Sequence, residues 1–196
     1  MAELIIDEFL TSGEQAMNKS QTLMEASEID RIITRITYEL LENRQEINNL
    51  GLIGIHKRGV FLARRIRSKI QEIESINIPT GDMDINLYRD DWTRISQQPV
   101  VRTTDITFSV DEKSIVLIDD VLFTGRTIRA AMDALIDFGR PARIELAVLI
   151  DRGHREFPIQ ADYAGKYIKT KPDEAINVLL AECDGLDRVN IISNGT

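Results

Sequence analysis

Uninterrupted apolar runs alternate along this chain with segments of helical periodicity. The apolar runs predict buried strands at 50–55, 115–118 and 144–150. Apolar residues at helical spacing predict three amphipathic helices. The first begins at Ser27, an expected N-cap, and the other two cover about 60–73 and 128–135. Strands and helices that alternate in this order are typical of a parallel α/β sheet with right-handed crossovers.

Four further segments have weaker patterns. Residues 85–88 predict another strand, which enters a polar loop of about twenty residues. Residues 1–26 lack strong periodicity and are expected to be a loosely attached N-terminal segment. Residues 175–181 fit a helix or a strand equally well, and the turn-like residues 183–187 followed by 189–192 favour a terminal hairpin.

Two adjacent carboxylates, Asp119 and Asp120, follow the apolar run 115–118, and a short turn at 124–127 leads into the next helix. Open α/β sheets bind their ligands at this end of their strands. Gly125 permits close approach of the backbone, and the free N–H groups of a helix start favour phosphate. The combination fits the hydroxyls and phosphate of a 5-phosphorylated ribose. The alternative interpretation is a buried strand that ends in a solvated acidic turn.

Two other loops fit the binding of pyrophosphate. Residues 56–59, His-Lys-Arg-Gly, follow the first apolar strand and therefore lie at the same sheet edge as Asp119. Arg58 can bind phosphate oxygens through two hydrogen bonds, although an ordinary basic loop is the alternative. The long loop at 88–107 is expected to be a lid that keeps water from the reacting centre.

Composition places the chain among compact cytoplasmic proteins. The 196 residues, 43% hydrophobic, suit one domain with a sizeable core. The single cysteine, Cys183, excludes an intrachain disulfide, and the N-terminus lacks the pattern of a signal peptide. No segment predicts a membrane span. The net charge of −8, from 24 basic and 32 acidic residues, excludes a surface broadly coated for nucleic acid but leaves room for a local basic patch.

Residues 115–127 resemble the motif with which type I phosphoribosyltransferases bind phosphoribosyl pyrophosphate (PRPP). Longer blocks resemble the PyrR family of pyrimidine operon regulators that are also uracil phosphoribosyltransferases. The blocks are 88–91, 116–127, 139–141 and 147–156. The resemblance implies the type I fold over 17–196 as a single domain: α/β, with a mostly parallel central sheet flanked by helices, a small hood and a flexible lid loop. Residues 1–16 have no counterpart and are expected to be a poorly ordered extension.

The resemblance implies transfer of the phosphoribosyl group from PRPP to N1 of uracil, which gives UMP and pyrophosphate. Asp119, Asp120 and Arg89 are expected to take part in catalysis. The expected PRPP-binding residues are Lys57, Arg58, Arg89, Asp119, Asp120, Val121, Leu122, Phe123, Thr124, Gly125, Arg126 and Thr127; those for uracil are Ile150, Asp151, Arg152 and Gly153. Mg²⁺ is expected to bind mainly through PRPP oxygens and water. His56 and His154 are candidate acid–base groups, although a structural hydrogen bond is the commoner role for a loop histidine.

The resemblance also implies a homodimer, or a higher oligomer, that binds a stem-loop in the leader mRNA of pyrimidine genes with UMP as corepressor. The candidate RNA-binding residues are Thr34, Arg35 and Tyr38 on the exposed face of the first helix, together with Arg155. Tyr38 stands where the family usually has histidine, and Gln160 where it usually has arginine. A tyrosine can stack on an unpaired base, whereas the missing arginine removes an expected phosphate contact.

Two alternatives stay open. The chain can be a uracil phosphoribosyltransferase that has lost RNA binding, because Gln160 and the acidic net charge both weaken an RNA site. It can also be a phosphoribosyltransferase for another base, such as hypoxanthine, guanine or orotate. The block at 151–156, Asp-Arg-Gly-His-Arg-Glu, argues against that second alternative.

Overall fold

The computed structural model describes residues 19–44, 46–85 and 104–193. Within these ranges the chain forms eight strands and four helices. The strands are β1 (Lys19–Glu25), β2 (Leu50–Ile55), β3 (Thr80–Met83), β4 (Ser114–Leu122), β5 (Arg143–Asp151), β6 (Tyr163–Tyr167), β7 (Glu174–Leu179) and β8 (Arg188–Ser193). The helices are α1 (Ala26–Glu42), α2 (Arg58–Glu74), α3 (Arg126–Ile136) and α4 (Ala181–Asp184).

Five strands form a parallel central sheet in the order β3-β2-β4-β5-β6. The predicted strand at 50–55 coincides with β2, and the run at 144–150 is extended by one residue at each end in β5. The run at 115–118 is the first half of a longer strand, because β4 stays paired with β5 as far as Leu122. Asp119 and Asp120 therefore stand on the end of β4 and not in the turn after it.

Helices cover both faces of the central sheet. Because side chains alternate along a strand, Val116 and Ile118 of β4 pack with α1 and α2, while Ile115 and Leu117 pack with α3. The apolar stripe predicted for the first helix is buried against the sheet, as Ile33 illustrates. The three-layer α/β architecture confirms the predicted fold class.

A second, antiparallel sheet in the order β1-β8-β7 forms the hood. The segment 175–181, which fitted either structure, is mainly strand, and the predicted terminal hairpin is confirmed with α4 between β7 and β8. The expectation of a loosely attached N-terminal segment is wrong for residues 19–25, because they pair with β8. The polar and half-exposed sequence of β1 has no periodicity that could have shown this. Residues 1–16 lie outside the described residues.

The predicted start of the first helix is also wrong. Helix α1 begins at Ala26 and not at Ser27, and Glu25 at its N-cap makes no side-chain capping bond. The chain runs from β1 directly into α1, so the end of the strand sets the start of the helix. Strand β3 was not predicted, and of the strand predicted at 85–88 only Ile85 lies within the described residues, beyond the end of β3. None of the helices in the described ranges is both long and apolar enough to cross a membrane.

Candidate active site

Three loops meet at the carboxyl edge of the central sheet, where parallel strands place their ligand sites. The β4–α3 turn and the β5–β6 loop are joined by backbone hydrogen bonds from Arg152 N–H to Leu122 O at 3.0 Å and from Glu156 N–H to Thr124 O at 2.9 Å. The β2–α2 loop packs on β4 because Gly59 has no side chain: a Cβ atom there would overlap the carbonyl oxygen of Ile118. The structure thus brings together the predicted turn at 124–127, the basic loop at 56–59 and the predicted uracil-binding residues at the end of β5.

The carboxylate pair is fixed by the backbone at the end of β4. Asp119 is buried, and its Oδ1 accepts the Asp120 N–H at 2.9 Å. Oδ1 of Asp120 accepts the Val121 N–H at 3.1 Å. Burial raises the pKa of Asp120, and this rise is opposed by a hydrogen bond with Asp119 and by the positive charge of Arg58. Arg58 therefore lies close enough to the pair to act on its charge.

The turn that follows the carboxylates leads directly into α3. Gly125 takes the left-handed conformation with φ of 91° at the helix N-cap, and Thr124 Oγ1 accepts the Arg126 N–H at 3.3 Å. Unpaired N–H groups at a helix start form an anion site. The side chain of Arg126 is engaged elsewhere, because it pairs with Glu156 at 2.6 Å and lies over the Phe157 ring.

The basic loop reaches towards the hood as well as the sheet edge. Its His56–Lys57 peptide is cis, and α2 begins immediately afterwards at Arg58. Arg58 donates from Nε and Nη2 to the two carboxylate oxygens of Asp184 at 3.1 and 3.2 Å. Nothing in the sequence pattern pointed to Asp184, which lies 126 residues further along the chain.

The predicted uracil-binding residues lie at the end of β5. Oδ1 of Asp151 accepts the Gly153 N–H at 2.9 Å, and the same carboxylate pairs with Arg155. Arg152 is buried. Its Nε donates to Thr170 Oγ1 at 3.1 Å, and its Nη2 donates to Glu174 O at 2.7 Å. Its guanidinium stacks 4.0 Å from the centre of the Phe123 ring. Burial lowers the pKa of Arg152.

Arg152 and its partners build one wall of the site from both the sheet and the hood. The Nε2 atom of His154 lies 2.7 Å from Thr170 O, and its ring packs edge-on against Phe123. This contact favours a structural role for His154 over acid–base chemistry. Thr170 and Glu174 were missed by sequence reasoning, since only the fold brings them to the end of β5.

The predicted RNA-binding residues divide between two places. On α1, Arg35 donates to Ala164 O and Gly165 O of β6 at 3.0 and 2.6 Å, and Tyr38 is 48% exposed. Thr34 donates to Asp30 O at 2.8 Å. Arg155 instead lies in the β5–β6 loop, where it donates to the carbonyls of Ile159, Phe123 and Gly153. In the part of the chain that the structure describes, no hydrogen bond or ion pair joins Arg155 to Thr34, Arg35 or Tyr38.

Arg89, the block 88–91 and residues 88–103 of the predicted lid lie outside the described residues. Within the described ranges, no three His, Cys, Asp or Glu side chains form a group that could hold a metal ion. Asp119 and Asp120 provide hard oxygen donors at the sheet edge.

Comparisons with known proteins define the class to which this arrangement belongs. The fold is that of the phosphoribosyltransferases: a hypoxanthine phosphoribosyltransferase of Staphylococcus aureus superposes with a TM-score of 0.64 at 22% identity, covering 86% of this chain and 90% of the other. The hypoxanthine phosphoribosyltransferase of Trypanosoma cruzi gives 0.65 at 16% identity, covering 90% and 97%. The family model for the phosphoribosyl transferase domain matches residues 19–179.

Relatives at higher identity narrow the class further. "Bifunctional protein PyrR" of Deinococcus deserti is 51% identical over 170 residues, which are 87% of this chain and 93% of that protein. The protein of the same name from Clostridioides difficile is 53% identical over 175 residues, 89% and 99% of the two chains. The chain therefore belongs to the phosphoribosyl transferase domain family and, within it, to the family of bifunctional protein PyrR.

Proposed function

We propose that this protein transfers the phosphoribosyl group of PRPP to uracil, forming UMP and pyrophosphate, and regulates pyrimidine genes through their leader mRNA. One observation carries the enzymatic part. The Asp119–Asp120 pair ends a buried parallel strand and is followed by a Gly125 turn into the start of α3, in a chain about half identical to proteins named bifunctional protein PyrR.

The geometry supports a division of roles along the sheet edge. The two carboxylates bind the ribose hydroxyls, and the turn from Thr124 to Thr127 binds the 5′-phosphate. Lys57 and Arg58, with Arg89, bind pyrophosphate as it leaves. Backbone groups at 150–153 bind the edge of uracil, against the wall that Arg152 builds with Phe123.

Glycosyl transfers pass through a loose, oxocarbenium-like transition state. The enzyme therefore needs fixed charge and accurate orientation more than a covalent nucleophile. Asp119 and Asp120 supply negative charge near the ribose, and Arg58 supplies positive charge for the departing pyrophosphate. Mg²⁺, bound mainly through PRPP oxygens, would neutralise part of the pyrophosphate charge.

The test of the enzymatic proposal is a radiolabelled assay of the purified protein with uracil, hypoxanthine, guanine and orotate. We expect UMP from uracil and PRPP, and loss of activity when EDTA removes Mg²⁺. Nucleotide formed from hypoxanthine, guanine or orotate, with none from uracil, would assign the site to a different base.

The regulatory part places RNA on the exposed face of α1, and places UMP, the product, as corepressor. Tyr38 offers an exposed ring for stacking on a loop base. Few cations are available to contact RNA phosphates. The slope of log affinity against log salt concentration should therefore be shallow, about 0.7 per phosphate contact on single-stranded RNA. We infer a cytoplasmic homodimer, or a higher oligomer of it, as the binding form.

An enzyme without RNA binding is the second candidate, and particular contacts favour it. The guanidinium groups of Arg35 and Arg155 are both engaged within the chain, and Gln160 offers no charge. Filter binding to the leader hairpin, with and without UMP, separates the two candidates. Regulation predicts weaker binding for Arg35→Ala and Arg155→Ala, tighter binding for Gln160→Arg, and no change for Arg67→Ala on α2. If the leader hairpin binds no more tightly than a scrambled hairpin, the protein is an enzyme without RNA binding.

A further inference from the structure

Two arginines of α2 hold the α4 segment of the hood, 181–187, against the central domain. Arg58 forms a two-pronged ion pair with Asp184, and Arg65 forms one with Asp187 at 2.8 and 2.7 Å. Each carboxylate also accepts a backbone N–H, from Leu180 and Ala181 respectively. The two pairs are therefore closely matched in chemistry and lie two helical turns apart.

They differ in what lies next to the arginine. Arg58 is the first residue of α2, beside Asp120, on whose carboxyl its charge acts. Arg65 lies in the body of the helix, and its contacts are with the hood carboxylates Glu182 and Asp187. Of these two pairs, the Arg58–Asp184 pair is therefore the one that connects the hood to the candidate active site.

Contacts other than the one with Arg58 also fix the position of the Asp184 carboxylate. Its Oδ2 accepts the Leu180 N–H at 3.0 Å and lies 3.0 Å from the Cys183 thiol. The thiol hydrogen bond, the backbone N–H and Arg58 together hold the pKa of Asp184 at about 2, so the carboxylate is charged at neutral pH. Asp184 therefore offers Arg58 a charged carboxylate in a fixed position.

The pair leaves one edge of the guanidinium for another anion. Asp184 accepts from Nε and Nη2, and among the described residues no acceptor bonds to Nη1. A planar guanidinium with one edge fixed presents the other edge in a set direction. An arginine held in this way loses less conformational entropy on binding a phosphate than one that is free to move.

We propose that Asp184 is a positioning residue: by fixing the Nε–Nη2 edge of Arg58, it orients the remaining Nη1 side towards the pyrophosphate of PRPP beside Asp119 and Asp120. The inference rests on the proposed transfer from PRPP. It gives the hood a part in binding pyrophosphate, in addition to the wall that it builds with Arg152.

The experiment compares Asp184→Asn with Asp187→Asn in the full-length protein. For Asp184→Asn we expect the KM for PRPP and the Kd for pyrophosphate, measured by calorimetry, each to rise roughly tenfold. The KM for uracil and the kcat at saturating PRPP should stay near the wild-type values. Asp187→Asn should lower the melting temperature at least as much as Asp184→Asn does. It should leave the KM for PRPP and the Kd for pyrophosphate unchanged.

A double-mutant cycle sharpens the result. In an Arg58→Ala background, Asp184→Asn should weaken pyrophosphate binding no further, because the residue that it positions is gone. Asp184→Glu keeps the charge but moves the carboxylate by one methylene, so it should raise the KM for PRPP in a folded protein even if the asparagine variant folds poorly.

The outcomes separate the two proposals. A wild type that neither forms UMP nor binds pyrophosphate overturns the proposed function. An active wild type in which Asp184→Asn binds pyrophosphate equally or more tightly overturns the positioning role alone. If Asp184→Asn and Asp187→Asn change pyrophosphate affinity equally, both ion pairs only stabilise the fold and Asp184 does not position Arg58.

Discussion

The carboxyl edge of the central sheet and the hood fix their polar side chains in different ways. At the sheet edge, Asp119 and Asp120 stand on a buried strand, and backbone N–H groups fix one oxygen of each. In the hood, the α4 segment reaches α2 through side-chain ion pairs such as Arg58–Asp184, whose side chains are 24% and 17% exposed. The strand therefore sets the position of the candidate catalytic carboxylates, whereas ion pairs hold the α4 segment of the hood against α2.

This difference separates the expected consequences of substitution. Removing charge at the sheet edge should reduce transition-state binding with little effect on folding, because the strand is held by its apolar neighbours. Removing charge in the hood should reduce stability modestly, since partly exposed ion pairs contribute little each. Val178, Leu180 and Val189 also anchor the hood in the apolar core.

The largest expected effect is at the carboxylate pair. Asp119→Asn or Asp120→Asn should cost about 1.5–3 kcal/mol of transition-state binding, the range for a charge-assisted hydrogen bond. That corresponds to about a ten- to hundredfold loss of kcat/KM. Asp133→Asn on the exposed side of α3 is the control. Near-normal turnover with either substitution of the pair would remove the assignment to ribose.

Gly59→Ala should have the next largest effect, because its methyl group would meet the Ile118 carbonyl next to Asp119. We expect a loss of about 1–3 kcal/mol in the free energy of unfolding, with a roughly tenfold rise in the KM for PRPP. Gly165→Ala on β6 is the matched control, since its methyl group would meet the Leu149 carbonyl. It should destabilise the fold without changing that KM; equal kinetic effects would contradict a local role for Gly59.

The same contrast explains how much the sequence could predict. Strands buried on both faces have continuous apolar sequences, so β2 and β5 were predicted almost to their ends. Edge and hood strands alternate weakly or not at all, so β3 and β1 were both missed. Periodicity reports burial, and these strands are only partly buried.

The site divides in the same way. Asp119, Asp120 and the turn at 124–127 are contiguous, so one motif predicted them together. Asp184 meets Arg58 across 126 residues, and Thr170 meets Arg152 across 18. Such contacts depend on how the hood folds back on the sheet, which no local pattern encodes.

A smaller effect is expected at the second hood pair. Arg65 donates to both Glu182 and Asp187, and these hydrogen bonds raise its pKa. Arg65→Met should lower the free energy of unfolding by about 1–2 kcal/mol, measured in urea. Arg64→Met, which removes a more exposed pair with Asp82, is the control and should stay within about 0.5 kcal/mol. Equal losses would show that Arg65 does not hold the hood.

The smallest effect is a pH dependence of stability contributed by Asp184 of the hood. The pKa of Asp184 is about 2 in the folded protein, against about 3.9 for an unperturbed aspartate. Hydrogen bonds from the Cys183 thiol and the Leu180 N–H lower it, together with Arg58. A depressed pKa stabilises the fold above the unfolded value, and that stability is lost as the pH falls towards the folded value.

The wild type should therefore be more stable than Asp184→Asn at pH 7, by on the order of 1 kcal/mol after allowance for solvent screening. The difference should shrink between pH 5 and pH 2, as Asp184 becomes protonated in the unfolded and then the folded chain. Urea unfolding of both proteins at several pH values measures it. A difference that stays constant down to pH 3 would mean that hydrogen-bond geometry, and not the charge of Asp184, joins the hood to α2.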